Sequence, residues 1–292
     1  MKKENELINK IQNAVLDMMK NVKYLDDGHT YQDQETGQWL QGVSTVSSII
    51  PKDWLSAWGA KEAVKALGYS DYEGDIVLAT EILETLAKFH TDNDVGGYIK
   101  FLKEAKGASG RKSRTALVDG KMGHDWLNTY VLAKIRKQKL PNIPIDNLER
   151  PIKQFLKWEE NEVDYWILSE ARVAYPEKGY AGTLDAMAMM KNGRLAIIDF
   201  KFATHISEDY FLQTAGYQAT FEPYDIKIDD RIIIRLPKTP EREEWNKEER
   251  KYYMVPNNLE VKIVTTNYEW DKQTFFFMLP VKKWINQFPN NY

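Results

Sequence analysis

YAGTLDAMAMMKNGRLAIIDFK, residues 180–201, is the stretch from which the fold can be read. Two strand-like runs, 180–190 and 194–201, flank Asn192-Gly193, and an Asn-Gly pair between apolar runs is a strong hairpin signal. Side chains alternate along a strand. Asp199 and Lys201 therefore share one face of RLAIIDFK with Leu195 and Ile197, and Ala196, Ile198 and Phe200 take the other. A turn on Asn192-Gly193 alone sets Asp185 opposite Phe200, close to Asp199 at the same end of the sheet. A lone Asp-x-Lys is ordinarily a surface ion pair. Here the flanks are apolar, and a buried charge needs a partner or a metal.

Outward from this hairpin, 166–175 reads as a strand that carries Glu170, and 207–221 as a helix. A strand over 230–236, a charged loop over 240–258, a strand over 259–266 and a closing helix over 272–288 follow. Upstream, 122–138 is a helix with Leu127, Val131 and Ile135 on its apolar face, ended by Pro141 and Pro144. A second helix covers 149–163. Residues 1–20 are an amphipathic helix, 29–50 a short hairpin around Thr36-Gly37 turning into a helix, and 53–67 and 75–90 are helical. Gly96, Gly97, Gly107 and Gly110 mark a loosely structured stretch that ends in Arg111-Lys112-Ser113-Arg114. The expected class is α/β, a mixed central β-sheet flanked by helices. The expected division is a mainly helical N-terminal lobe with a short hairpin, 1–115, and a core, 116–292.

Composition narrows the chemistry. The chain has 292 residues, 43% hydrophobic and 28% charged, an ordinary globular balance. It has no cysteine, which excludes disulfides, zinc–cysteine sites and cysteine-ligated iron–sulfur clusters. A net charge of −3 argues against a protein that coats nucleic acid mainly by electrostatics. No run approaches ~18 apolar residues, and the N-terminus lacks the apolar stretch of a signal peptide. A cytoplasmic protein without a membrane partner is expected, and no protein partner is indicated. Two carboxylates suit hard Mg²⁺ or Mn²⁺ ions. A lysine beside them suits orientation of a water and stabilisation of developing negative charge. These are the parts that phosphodiester hydrolysis needs.

Five segments together resemble the PD-(D/E)XK nuclease superfamily, in its RecB-like exonuclease branch. They are Gly120-Lys121-Met122-Gly123-His124, Glu170, Gly182-Thr183-Leu184-Asp185, Ile198-Asp199-Phe200-Lys201, and Gln213 with Tyr217. The resemblance covers about 120–220. The segment 29–50, with Gly42-Val43-Ser44-Thr45-Val46, and then Trp58 and Lys61, is similar to the opening segment of phage exonucleases and of the mitochondrial genome-maintenance exonuclease. The resemblance implies a restriction-endonuclease-like core in 116–292. It implies Asp185, Asp199 and His124 as metal ligands, the Phe200 backbone carbonyl completing the shell, and Glu170 supporting the site or a second metal. Lys201 would align the attacking water, and Gln213 and Tyr217 would order the site and contact DNA. The implied cofactor is Mg²⁺ or Mn²⁺ with no iron–sulfur cluster, and the implied setting is a phage or bacterial host cytosol. The implied activity is a metal-dependent DNA exonuclease acting on single strands or DNA ends in recombination, repair or replication. The alternatives are a structure-specific endonuclease of the same fold and a non-cleaving DNA-binding module.

Candidate DNA contacts lie outside this core. Arg111, Lys112, Ser113 and Arg114 on a flexible loop suit phosphates. Trp54, Trp58 and Lys61 interleave aromatics and cations at helical spacing, where rings can stack on bases or serve as core. His29, His90 and His205 have no ligand-like spacing.

Overall fold

The computed structural model describes residues 2–72, 75–78, 80–264 and 267–287. From the N-terminus come α1 (Lys2–Met18), β1 (Val22–Leu25), β2 (Thr30–Asp33), β3 (Trp39–Gly42), the short α2 (Val43–Ser47) and α3 (Asp53–Ala66). Next are β4 (Tyr69–Tyr72), β5 (Asp75–Leu78), α4 (Thr80–Thr91), α5 (Val95–Lys106), α6 (Ala108–Arg136) and α7 (Glu149–Glu162). The strands β6 (Val163–Tyr175), β7 (Tyr180–Met190) and β8 (Leu195–Lys201) lead to α8 (Asp209–Ala219) and β9 (Asp230–Arg235). Last come β10 (Glu241–Asn246), β11 (Lys251–Pro256), β12 (Glu260–Val264) and α9 (Tyr268–Ile285).

The central sheet runs β1-β2-β3-β7-β8-β9-β12, with β6 on the other edge of β7. It is mixed: β3–β7 and β8–β9 are parallel and the other pairs antiparallel. Alternation gives each strand two apolar faces. One face meets Ile11 of α1, Val43 and Val46 of α2, Leu212 and Tyr217 of α8, and Phe275 and Leu279 of α9. The other meets Leu127 and Val131 of α6 and Ile152 and Phe155 of α7. Burying each such side chain stabilises by about 1.5–3 kcal/mol. The α/β class with a mixed sheet flanked by helices is thus what the sequence predicts. No helix among the described residues is long and apolar enough to cross a membrane.

The contiguous division at 115 does not hold. Two compact units form: Met1–Ile50 with Met122–Lys238 and Asn258–Tyr292, and Pro51–Lys121 with Thr239–Asn257. The N-terminal helix and hairpin belong to the sheet unit, because β3 pairs with β7.

The second unit corrects three further expectations. Residues 75–90 begin as β5, paired with β4, before α4 starts. The glycine-marked stretch is helical, as α5 and the start of α6. The charged segment after 240 is the hairpin β10–β11, in which Glu243 faces Met254.

Candidate metal centre

The site forms where β7 and β8 part. Their ladder runs from Met189↔Leu195 to Ala186↔Ile198 and stops there, while β8 continues against β9 through Lys201↔Arg235. The turn explains the register. Met190 N–H donates to the Arg194 carbonyl at 2.9 Å and Gly193 N–H to the Met190 carbonyl at 2.8 Å, closing a three-residue loop with Gly193 at φ +79°. A three-residue loop shifts the pairing by one relative to a two-residue turn, so Asp185 comes abreast of Asp199 rather than Phe200.

Two strands then twist together. Leu184 and Met187, three apart, both enter the α8-side core, and so do Leu168 and Ala171 on β6. Strict alternation would put them on opposite faces. The extra residue on each strand is thereby turned to the α6 side, and these residues include Asp185 and Glu170. Glu170 sits at φ +46°. A left-handed backbone at a non-glycine residue costs on the order of 1–3 kcal/mol.

His124, Glu170 and Asp185 each bring a ligand atom within 4.8 Å of the others. The described residues thus contain one acidic and histidine group that could hold a metal ion. His124 Nδ1 lies 3.7 Å from Asp185 Oδ2. Burial, then Asp185 and Asp125, push the Glu170 carboxyl up to about 7. Arg172, two residues on, is engaged elsewhere: it stacks on Tyr24 at 3.7 Å and lies 3.7 Å from Asp26.

Helix α6 is pinned where it carries His124. Ser169 of β6 donates to Asn128 at 2.9 Å, one turn past the histidine. Buried Glu159 of α7 accepts from Tyr130 and Trp166 and pairs with Lys134 at 2.9 Å. The His124 ring meets Phe202 edge-on at 5.7 Å. A Cβ at Gly123 would fall 2.2 Å from the Phe202 ring, so only glycine leaves room for that ring.

Asp199 and Lys201 point to the other side, toward α8, as their alternation with the Ala196-Ile198-Phe200 face requires. Asp199 is 1% exposed. The Lys201 ammonium lies 2.8 Å from each carboxylate oxygen, donating to Oδ1 and ion-paired with Oδ2. Burial pushes the Asp199 carboxyl up, against the pull of Lys201. Burial works to lower Lys201, but Asp199 and Asp185 outweigh it and raise the ammonium. The Tyr210 ring lies 4.8 Å from that ammonium, a cation–π seat.

The two halves meet at the parting. Phe200 N–H donates to Asp185 Oδ2 at 2.8 Å, which satisfies a backbone donor that β7 no longer pairs. In an extended strand the N–H and C=O of one residue point to the same edge, so the Phe200 carbonyl also faces the gap. Asp199 itself lies outside the 4.8 Å group.

A metal fits this donor set. His124, Glu170 and Asp185 bring two carboxylates and one imidazole within 4.8 Å of one another, while the Asp199 carboxylate is engaged by Lys201. The absence of cysteine leaves no cysteine-ligated iron–sulfur cluster.

The remaining candidates divide. Gln213 donates to Tyr217 at 3.4 Å, and both are buried on α8. Burial raises the Tyr217 phenol. Its ring lies 2.8 Å from where a Gly182 Cβ would stand. The pair orders the α8–β7 contact, and Tyr217, at 3% exposure, offers no surface to DNA. Arg111, Lys112, Ser113 and Arg114 are exposed on α6, not on a loop. Arg111 donates to the Glu104 carbonyl, and Lys112 pairs with buried Glu62. Lys61 pairs with Glu243 at 3.0 Å, Trp58 is half-buried, and the Trp54 side chain is outside the described residues.

Sequence reasoning missed Tyr210, Asn128 and Phe202. Tyr210 stands three before Gln213 and Asn128 four after His124, spacings that share a helix face. No signal in the sequence marks Phe202. No protein-family model matches the chain, and no curated protein matches it significantly.

Proposed function

We propose that the chain is a divalent-metal-dependent deoxyribonuclease of the PD-(D/E)XK kind, an exonuclease acting on single-stranded DNA or DNA ends. The observation that carries this reading is the convergence of His124, Glu170 and Asp185 within 4.8 Å beside a buried Asp199–Lys201 pair. Carboxylates with one imidazole suit Mg²⁺ or Mn²⁺. His124, Asp185 and Glu170, with the Phe200 carbonyl, would hold the ion, and Asp199, expected from the sequence as a ligand, would instead hold Lys201. When bound, such an ion lowers the pKa of a water and offsets charge on the phosphate.

The chain's own groups do the rest. Asp199 and Tyr210 fix the Lys201 ammonium, which orients the attacking water and stabilises negative charge as it develops on the phosphate. Gln213 and Tyr217 hold α8 against Gly182, which keeps β7 and β8 in place at the parting. Asn128 anchors α6 to β6 one turn from His124, and Phe202 packs edge-on against the His124 ring.

Digestion of 5′- and 3′-labelled single strands, duplexes and closed single-stranded circles with Mg²⁺ tests this reading. Linear strands should be shortened, and EDTA should stop the reaction. Cleavage that persists in excess chelator removes the metal. Cutting of closed circles replaces the exonuclease with an endonuclease. Binding without any cleavage leaves a DNA-binding module.

A further inference from the structure

Beside the candidate metal group lies a cation that neither the metal nor the water requires. Arg172 of β6 pairs in register with Thr183 of β7. Their neighbours Ala174 and Ala181 lie in the small cluster with Tyr31 and Leu40, opposite the α8-side core, so this face is also that of Asp185 and Glu170. Arg172 thus stands two residues from Glu170, and Thr183 two from Asp185, about 7 Å along the strands.

The arginine is seated but not satisfied. Its guanidinium lies 3.7 Å from the centroid of the Tyr24 ring. Its acidic neighbour Asp26 is 3.7 Å away and 91% exposed, a contact worth little in water. The ion pair shown for Arg172 is with Asp26, not with Glu170, the nearer acid in sequence. The Thr183 hydroxyl is placed by the Tyr31 hydroxyl at 2.8 Å. Tyr24 and Tyr31 pair across β1 and β2 with ring centroids 5.1 Å apart, so the hairpin forms an aromatic wall behind the arginine. A guanidinium stacked on a ring keeps its donor edge free for two parallel hydrogen bonds to phosphate, at little entropic cost.

We propose that Arg172 and Thr183 form a subsite for the backbone phosphate next to the one cleaved. Two residues along a strand span about one nucleotide of extended single-stranded DNA, which matches the offset between this pair and the acidic group. The inference rests on the nuclease reading above and names how that site takes its substrate. The subsite recognises the strand by its charge and not by its bases.

The test is binding of a single-stranded oligonucleotide by anisotropy, with Ca²⁺ in place of the active metal. Arg172→Gln should weaken binding ~10-fold and make the salt dependence shallower by about 0.7, the share of one phosphate on a single strand. Arg172→Lys, which keeps charge but not the fork, should fall between. A neutral methylphosphonate moved along the oligonucleotide should cost the wild type ~10-fold at one position next to the cleaved phosphate and cost Arg172→Gln nothing there, the signature of a coupled pair. Mn²⁺ titration without DNA, and Tm, should be unchanged in Arg172→Gln.

Wild-type affinity and salt slope in Arg172→Gln, or the same methylphosphonate profile in both proteins, overturns the proposal alone. Loss of Mn²⁺ binding or of Tm also overturns it, since the arginine would then support the metal group. Wild-type protein that neither binds nor cuts DNA removes the nuclease reading and this subsite with it.

Discussion

At the scale of single residues, the Asp199–Lys201 pair separates structure from chemistry. The two are 2.8 Å apart with side chains 1% and 15% exposed. Removing either leaves a buried charge without its partner, a loss on the order of 3 kcal/mol. Asp199→Asn and Lys201→Met should each lose about that much stability in urea, and the double variant should regain most of it. Cleavage should fall at least ~10²-fold, about 2.7 kcal/mol of barrier, in all three. Activity that returns with stability in the double variant would leave the pair a purely structural role. The pair was legible because alternation alone puts Asp199 and Lys201 on one face. The mate of Asp185 was not, because Asn192-Gly193 fits both a two-residue and a three-residue loop. The backbone at Gly193 decides between them, and that choice moves the register by one. Glu170 was legible as a site residue, but its left-handed backbone was not.

At the scale of elements, the centre depends on how α6 lies against β6. His124 stands one turn from Asn128, whose carbonyl receives the Ser169 hydroxyl at 2.9 Å. Asn128→Ala should cost about 1 kcal/mol of stability, the usual worth of one hydrogen bond. It should also weaken Mn²⁺ binding several-fold in calorimetry, since His124 loses an anchor on its own helix face. Unchanged Mn²⁺ affinity would mean that Phe202 and the Glu159 cluster hold the helix unaided. The existence of α6 from 122 onward was readable from Leu127, Val131 and Ile135. Its first half was not, because Gly107 reads as a helix end, which it is for α5, and Gly110 inside α6 carries a helix penalty of about 1 kcal/mol. Gly97 in α5 looked like the same kind of break but is a packing necessity. A Cβ there would fall 2.2 Å from Asp94, whose carboxylate caps the helix through the Gly97 N–H at 2.8 Å. The β10–β11 hairpin was read as loop because Glu241, Arg242, Glu243 and Glu244 suggested solvent. Glu243, however, is satisfied by Lys61 and Lys65 at 3.0 and 3.2 Å, within its own unit.

At the scale of the whole molecule, the interleaved units were hidden because β3 joins β7 across more than a hundred residues, and nothing local announces such a pairing. What the whole chain does feel is the charge gathered at the parting. Without a metal, Glu170 sits at about 7 against an ordinary 4.5, raised by burial and then by Asp185 and Asp125. The folded chain therefore holds this proton more tightly than the unfolded chain. Glu170 adds stability that is complete below about pH 4.5 and is lost as pH rises through about 7. After screening for a partly exposed carboxyl, the effect is about 1 kcal/mol, or ~2 °C in Tm for a chain of this size. A divalent ion acts with the opposite sign, because it binds the ionised carboxylate and competes with the proton. Mn²⁺ at a hundred-fold excess over its Kd should stabilise by ~2.7 kcal/mol at about pH 8, and by much less at about pH 5.5, where Glu170 is protonated. Thermal unfolding in EDTA and in Mn²⁺ at both pH values, for wild type and Glu170→Gln, reads both signs at once. The glutamine variant should lose this share of the pH dependence in EDTA and most of the gain from Mn²⁺. An equal Mn²⁺ gain in the two proteins would take Glu170 out of the centre and leave its backbone strain without a purpose.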